Sequence, residues 1–177
     1  MENILMNQID YLSNFKIEPS KKRIIILQGL PGSGKSTFAK ALSEQCFKNE
    51  IKNLIASADD FFMDNGEYKF DQLKIKDAHE ECYQKYYHFF RKDYQLIFID
   101  NTNLSRWERK RYIKLAQKNL EKIDFIDIIY FPCSPEVSFK RNSHNVPLEV
   151  IQNMEKRIQQ DNSCETYIRN FNFGEEP

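Results

Sequence analysis

Two patterns of hydrophobic and polar positions divide this 177-residue chain. One is a short unbroken apolar run of the length of a buried strand: Ile24-Ile25-Ile26-Leu27, Leu54-Ile55-Ala56, Leu96-Ile97-Phe98-Ile99, and the less regular stretch from Phe125 to Phe131. The other is an apolar residue every three or four positions, the mark of an amphipathic helix. Phe38, Leu42 and Cys46 lie one turn apart after the first run. Ile75, Ala78, Cys82, Tyr86 and Phe89 recur within 72–90. Ser105 with Glu108 reads as a capping box opening a helix to about Asn119. A short helix starts at Pro135 or Glu136 and ends near Arg141. A last helix has Pro147 as its first residue and Val150, Ile151, Met154 and Ile158 on its buried face.

The order β-α-β-α-β-α-β-α predicts an α/β fold, a parallel sheet with helices on both faces. Ile4, Leu5, Ile9 and Leu12 suggest a short N-terminal helix, broken by Pro19-Ser20-Lys21-Lys22 before the first strand. Asn65-Gly66 marks a turn, 142–146 a break, and the polar tail from Asn170 reads as loose. The expected division is an extension over 1–22, one domain over 23–169 with a lid around 140–147, and a tail over 170–177.

Composition narrows the partners. Lys and Arg total 26, as do Asp and Glu, so net charge gives no overall pull toward nucleic acid. Such binding needs a local patch, and the one dense basic stretch is Arg106, Arg109, Lys110, Arg111, Lys114 and Lys118. On a helix these spread around the circumference, the usual look of a solvated face, but the stretch begins just after a strand end where a strand of nucleic acid could lie. Cys46, Cys82, Cys133 and Cys164 form no paired spacing and read as reduced thiols of a cytoplasmic protein. No stretch approaches the ~20 apolar residues of a membrane span, and the N-terminus lacks a signal pattern.

The chemistry starts after the first apolar run. Gly29-Leu30-Pro31-Gly32-Ser33-Gly34-Lys35-Ser36, followed by Thr37, fits G-x-x-x-x-G-K-[ST], the Walker A loop, between a strand and a helix. Glycines let successive N–H groups turn inward toward anionic oxygens, and the helix start adds its positive dipole end. Lys35 then reaches the β- and γ-phosphates of ATP and the Ser36 hydroxyl takes Mg²⁺. Asp100, closing the third strand, is the candidate second magnesium residue. Asp59 and Asp60 follow the second strand, where open α/β sheets gather their ligands. On an extended chain neighbouring side chains face opposite ways, so one of them, Asp59, is the candidate general base for an acceptor hydroxyl.

The blocks Gly29–Thr37, Ser57-Ala58-Asp59-Asp60-Phe61-Phe62, Asp100-Asn101-Thr102-Asn103-Leu104 and Lys140-Arg141-Asn142-Ser143 with Val146-Pro147 resemble the kinase domain of phage-type polynucleotide 5′-hydroxyl kinases. They are equally similar to a group of small P-loop proteins of AAA-type ATPase description, which share Tyr68-x-Phe70-Asp71 and Ala78-His79. The likeness runs from Ile24 to Met154. It implies a three-layer P-loop NTPase fold of the nucleoside and polynucleotide kinase kind, ATP and Mg²⁺ as cofactors, Asp59 as base, and Arg141 as lid arginine, helped by Lys140. Asp60, Phe62, Thr102 and His79 become candidates for the acceptor side. His79 also has a plain reading as a packing residue, and Phe61 and Phe62 as core. Two departures bear on the acceptor: Phe61-Phe62 stands where the family carries an arginine, and the lid is short, with His144 in place of more basic residues.

Three functions follow: an ATP-dependent kinase of a nucleic-acid 5′-OH, RNA or DNA; a kinase of a small acceptor such as a nucleoside, sugar or antibiotic; or a non-catalytic NTP-binding module. Salt-sensitive oligonucleotide binding separates the first from the second, and nucleotide binding without transfer marks the third.

Overall fold

The computed structural model describes residues 10–11, 14–17, 20–159 and 166–173. Five parallel strands form the central sheet: β1 (Lys22–Gln28), β2 (Asn53–Ala56), β5 (Leu96–Asp100), β6 (Ile123–Tyr130) and β7 (Ile168–Asn172), in the order β2-β5-β1-β6-β7. Two short strands, β3 (Met63–Asp64) and β4 (Glu67–Tyr68), pair as an antiparallel hairpin around Asn65-Gly66.

Strand order and crossover handedness decide the layers. From β1 the chain passes through α1 (Lys35–Lys48) to β2 at the sheet edge. It then reverses direction through α2 (Ile75–Phe89) to β5, and through α3 (Arg106–Gln117) to β6. With right-handed crossovers, a reversal of direction moves the connection to the other face. Accordingly Ile25 and Leu27 of β1 pack with Phe38, Ala39, Leu42 and Cys46 of α1. Ile24 and Ile26 turn the opposite way, toward Ala78, Cys82, Tyr86 and Phe89 of α2 and Tyr112 and Ala116 of α3. A strand covered on both faces needs apolar residues at every position, which is why β1 reads as an unbroken run.

Two short helices, α4 (Pro135–Arg141) and α5 (Leu148–Glu155), follow β6. Ile151 of α5 joins Leu30 and Leu104 in a small cluster, with Val146, Met154 and Ile158 against it. The cluster packs the last helix against the glycine loop and the loop after β5. Ser105 and Glu108 make the expected capping box.

Several expectations are corrected. Pro147 is extended and caps α5 from outside, since its φ suits the position before the helix as well as the first turn. Val150 is exposed, so the buried side of α5 is Ile151 with Met154 and Ile158. The helix from Ser105 ends at Gln117, short of Asn119. The loose tail from Asn170 is replaced through residue 172 by β7, whose register sets Asn170 opposite Ile128 and Phe171 opposite Ile129. Ile4, Leu5, Ile9, Leu12 and Pro19, which carry the N-terminal helix and part of its break, lie outside the described residues.

Candidate active site

The C-terminal ends of β1, β5 and β2 converge, with Leu27 in register with Asp100 and Ala56 with Ile99. The loop from Gly29 is held from both sides: Gly29 N–H donates to the Thr102 carbonyl at 3.0 Å and Phe131 N–H to the Gln28 carbonyl at 2.8 Å. Asn103 Nδ2 donates to Leu27 O at 2.7 Å, and Gln28 Nε2 to Leu104 O at 2.9 Å. These bonds fix the strand end where a glycine-rich segment alone would be loose.

The loop then meets α4. A Cβ on Gly32, whose φ is +72°, would lie 2.8 Å from Asn142 N, 2.9 Å from Ser138 O and 3.0 Å from Arg141 C. Only glycine tolerates both that φ and that approach. Ser138, itself buried, donates its hydroxyl to Pro31 O at 2.6 Å. Helix α4, whose C-terminal end leads into the expected lid segment 140–147, is therefore seated on the loop by backbone contact. Gly34, at φ +102°, opens α1 from a left-handed conformation. Nothing lies within 4 Å of a Cβ built there, so the loop is open at this point.

Lys35 is buried, with Nζ donating to Leu30 O at 2.7 Å and Ser33 Oγ at 3.3 Å. Burial pushes its ammonium down to about 8, opposed by the charges of Asp100 and Asp59 and by Cys133. Asp100 is also buried, and burial raises its carboxyl, opposed by a hydrogen bond from Ser36 and by Lys35. Ser36 and Thr37 are exposed at the first turn of α1. The residues fit a nucleotide with its magnesium: three loop glycines at positive φ, a buried cation, and a hydroxyl on a carboxylate at the open side. No cluster of three or more His, Cys, Asp or Glu that could hold a metal occurs among the described residues. Mg²⁺ suits so sparse a set, because it commonly takes one or two protein ligands and completes its shell with phosphate and water.

Asp59 and Asp60 do not lie on extended chain, as the sequence suggested. They open a single 3₁₀ turn, Asp59–Phe62. Their carboxylates still diverge. Asp60 turns to Lys85 of α2, 3.0 Å away. Asp59 Oδ1 accepts from the Tyr68 hydroxyl at 3.1 Å, and Asp59 Oδ2 lies 3.7 Å from His144 Nε2. The rings of Tyr68 and His144 sit 4.2 Å apart between centroids. The hairpin thus brings Tyr68, and the segment after α4 brings His144, to the same carboxylate. Sequence reasoning used Tyr68 only as part of a family pattern and noted His144 only as a departure; a contact across such separations leaves no local signal.

The remaining candidates divide. Asn101 anchors the turn, its Oδ1 accepting from Ala58 N–H at 2.9 Å. Thr102 is half-buried beside the loop. Arg141 ends α4, exposed; burial raises the Cys133 thiol, and the charges of Arg141 and then Lys35 oppose that rise. His79 has solvent-exposed surface on α2, yet burial by its surroundings is the largest influence on its imidazole and lowers it, ahead of the charges of Glu108, Arg111 and Asp59. Phe62 is corrected as a substrate contact: it is 5% exposed, with its ring 5.1 Å from Phe70 and 6.0 Å from Tyr68. Phe61 is half-buried against the same core.

The chain is 38% identical to human NEDD4-binding protein 2 over 137 residues, which are 77% of this chain and 8% of that protein. It is 27% identical over 152 residues to L-seryl-tRNA(Sec) kinase of Methanococcus maripaludis, across 76% of this chain and 52% of that one. The chain thus spans between a twelfth and about half of these relatives. Its fold matches a fungal RNA kinase at a TM-score of 0.54 and 17% identity, covering 86% of this chain and 73% of that one. The parallel sheet with helices on both faces is shared with this neighbour as a fold, and residues 24–160 match the model of one family: the chain belongs to the AAA domain family.

Proposed function

We propose that the chain is an ATP- and Mg²⁺-dependent kinase that moves the γ-phosphate of ATP to a hydroxyl, the 5′-OH of an RNA or DNA strand. The observation that carries this reading is Asp59, a carboxylate at a strand end, hydrogen-bonded by Tyr68 and close enough to Lys35 to act on its charge. A phosphate-transfer site needs such a base when the acceptor is an alcohol, whereas a hydrolase needs a group that orients water.

In this reading the N–H groups of Gly29–Thr37 and the Lys35 ammonium hold the phosphates. Ser36 and Asp100 would hold Mg²⁺, which supplies positive charge against the β- and γ-phosphate oxygens. Asp59 takes the acceptor proton as the acceptor oxygen bonds to the γ-phosphorus. The bond from that phosphorus to the bridging oxygen breaks, and ADP leaves with the electron pair. Lys35 and Arg141 offset the charge spread over the transferring group. Thr102, His79 and Asp60 border the acceptor, and 140–147 is the lid. Likeness to a tRNA kinase and to an RNA kinase supports a nucleic-acid acceptor. The free thiols of the buried Cys46 and Cys82 suit a reducing cytoplasm.

A small acceptor is the second reading, favoured by the burial of Phe62 where an arginine would grip a substrate phosphate. The test is label transfer from γ-labelled ATP to 5′-hydroxyl RNA and DNA oligonucleotides, nucleosides and sugars, with Lys35→Ala and Asp59→Asn as controls. Label on oligonucleotides, lost in both variants, is expected. Label on small acceptors alone supports the second reading, and tight ATP binding with no transfer rejects both.

A further inference from the structure

Helix α3 carries a feature that the transfer site does not use. Its buried side is Arg109, Tyr112 and Ala116. Arg109 is fully buried and donates to Asn103 O and Gln159 O at 2.7 Å each, so this member of the basic stretch is structural. Arg111 is also spoken for, lying 3.8 Å from the Tyr83 ring centroid and 2.9 Å from Glu80. Trp107, Lys110 and Lys114 recur at three- and four-residue spacing on another side of the helix. There they line a groove of about 530 Å³ together with Arg106, Ile113, Gln117 and Gln159.

Trp107 is 81% exposed. An exposed indole flanked by cations offers a stacking platform for a flat ring. Neither Lys110 nor Lys114 has an ion-pair partner among the described residues, and no acidic residue lines the groove. The helix starts six residues after Asp100, at the edge of the sheet that carries the candidate active site. From Trp107 to Lys114 the axis runs about 10 Å, a span on the scale of two nucleotides of single strand.

We propose that this groove binds the single-stranded body of a polynucleotide, with Trp107 stacking on a base and Lys110 and Lys114 on phosphates. Its occupant being the kinase acceptor rests on the function proposed above; its binding does not. Stacking on one indole with two phosphate contacts gives binding with little sequence preference.

Trp107 is the sole tryptophan of the chain, so it reports on its own site. Unlabelled single-stranded oligonucleotides of RNA and DNA, titrated without ATP or Mg²⁺, are expected to quench its fluorescence to saturation. With two phosphate contacts, affinity should fall about 25-fold for a tenfold rise in salt. By anisotropy of a labelled oligonucleotide, Trp107→Ala should weaken binding about 5- to 150-fold. Lys110→Ala with Lys114→Ala should flatten the salt dependence. Absent quenching, or affinity unchanged in all three substitutions, overturns the proposal. So does quenching by poly-glutamate but not by oligonucleotide, which would make the groove a protein-docking surface. Phosphate transfer is measured on the same wild-type preparation. Quenching without transfer fails the kinase and keeps the groove, while transfer to oligonucleotides without quenching fails the groove and keeps the kinase.

Discussion

The Tyr68 hydroxyl donates a 3.1 Å hydrogen bond to Asp59 Oδ1. Burial, and then the Asp59 charge, raises the Tyr68 phenol above its ordinary value, so it stays a donor at neutral pH. It leaves Oδ2 as the freer oxygen, facing His144. Asp59→Asn is expected to lower the rate of transfer by about 10²–10⁴ through lost proton acceptance, with only a small change in nucleotide affinity from the lost charge near Lys35. Tyr68→Phe keeps the carboxylate but lets it rotate, and should lower kcat about tenfold with little effect on the KM for ATP. Steady-state kinetics with ATP and acceptor varied separately checks both. An Asp59→Asn enzyme of normal kcat would remove Asp59 from the chemistry.

The buried Lys35 gives a pH signature. Its folded value, about 8, lies below its ordinary 10.5. Between the two, the unfolded chain holds a proton that the folded chain has shed, so stability of the free protein should rise from pH 8 to 10.5. Below pH 8 the penalty is fully present. Phosphate oxygens favour the ammonium, so ATP affinity should be flat below pH 8 and fall toward tenfold per unit above it. Titration calorimetry in two buffers of unlike ionisation heat should show proton uptake on binding near pH 9. The neutral Lys35→Met protein should be more stable at pH 7, by up to about 3 kcal/mol, and bind ATP poorly. A flat affinity from pH 7 to 9.5 would place the phosphates away from Lys35.

The seating of α4 on the loop makes Gly32 a structural choice as well as a phosphate-site residue. Gly32→Ala would drive a methyl against the backbone at Ser138, Arg141 and Asn142. A loss of about 1–3 kcal/mol is expected, with ATP affinity down more than tenfold. Ser138→Ala removes only the bond to Pro31 O and should cost about 1–2 kcal/mol, with a smaller effect on affinity. Thermal unfolding with and without ATP distinguishes them. If Gly32→Ala unfolds like wild type, the approach of α4 to the loop is not tight in solution.

Much of this architecture is legible along the chain because its signals are local. The loop motif, the apolar run of β1 and the Ser105–Glu108 cap each depend on residues a few positions apart. The strand-end position of Asp100 is equally local. What could not be read depends on distant partners. Ile168-Arg169-Asn170-Phe171-Asn172 has no strand-like run and becomes β7 because β6 offers it an edge. Arg109 is indistinguishable in sequence from its exposed neighbours, yet it is buried because two carbonyls from other loops need a donor. His144 meets Asp59 across more than eighty residues of chain, a contact that the fold alone makes.

The strongest case of such a distant dependence is Asp127, in the middle of β6 and fully buried. Arg169 of β7 meets it with two bonds, at 2.7 and 2.8 Å, and the Tyr11 hydroxyl donates to it at 2.5 Å. One carboxylate thus ties the edge strand and a residue preceding the first strand to the sheet. A buried ion pair adds little over a matched apolar pair, but removing one partner strands a charge. Arg169→Leu should therefore cost about 3–5 kcal/mol, or roughly 6–20 °C in Tm for a domain of this size. Asp127→Leu with Arg169→Leu should recover most of that loss, since no charge is left behind. Tyr11→Phe should cost less, about 1–3 kcal/mol. Ending the chain at residue 166 removes β7 with its arginine, and a cooperative domain should then fail to form. If Arg169→Leu shifts Tm by no more than a degree or two, β7 is only an adjunct of the sheet.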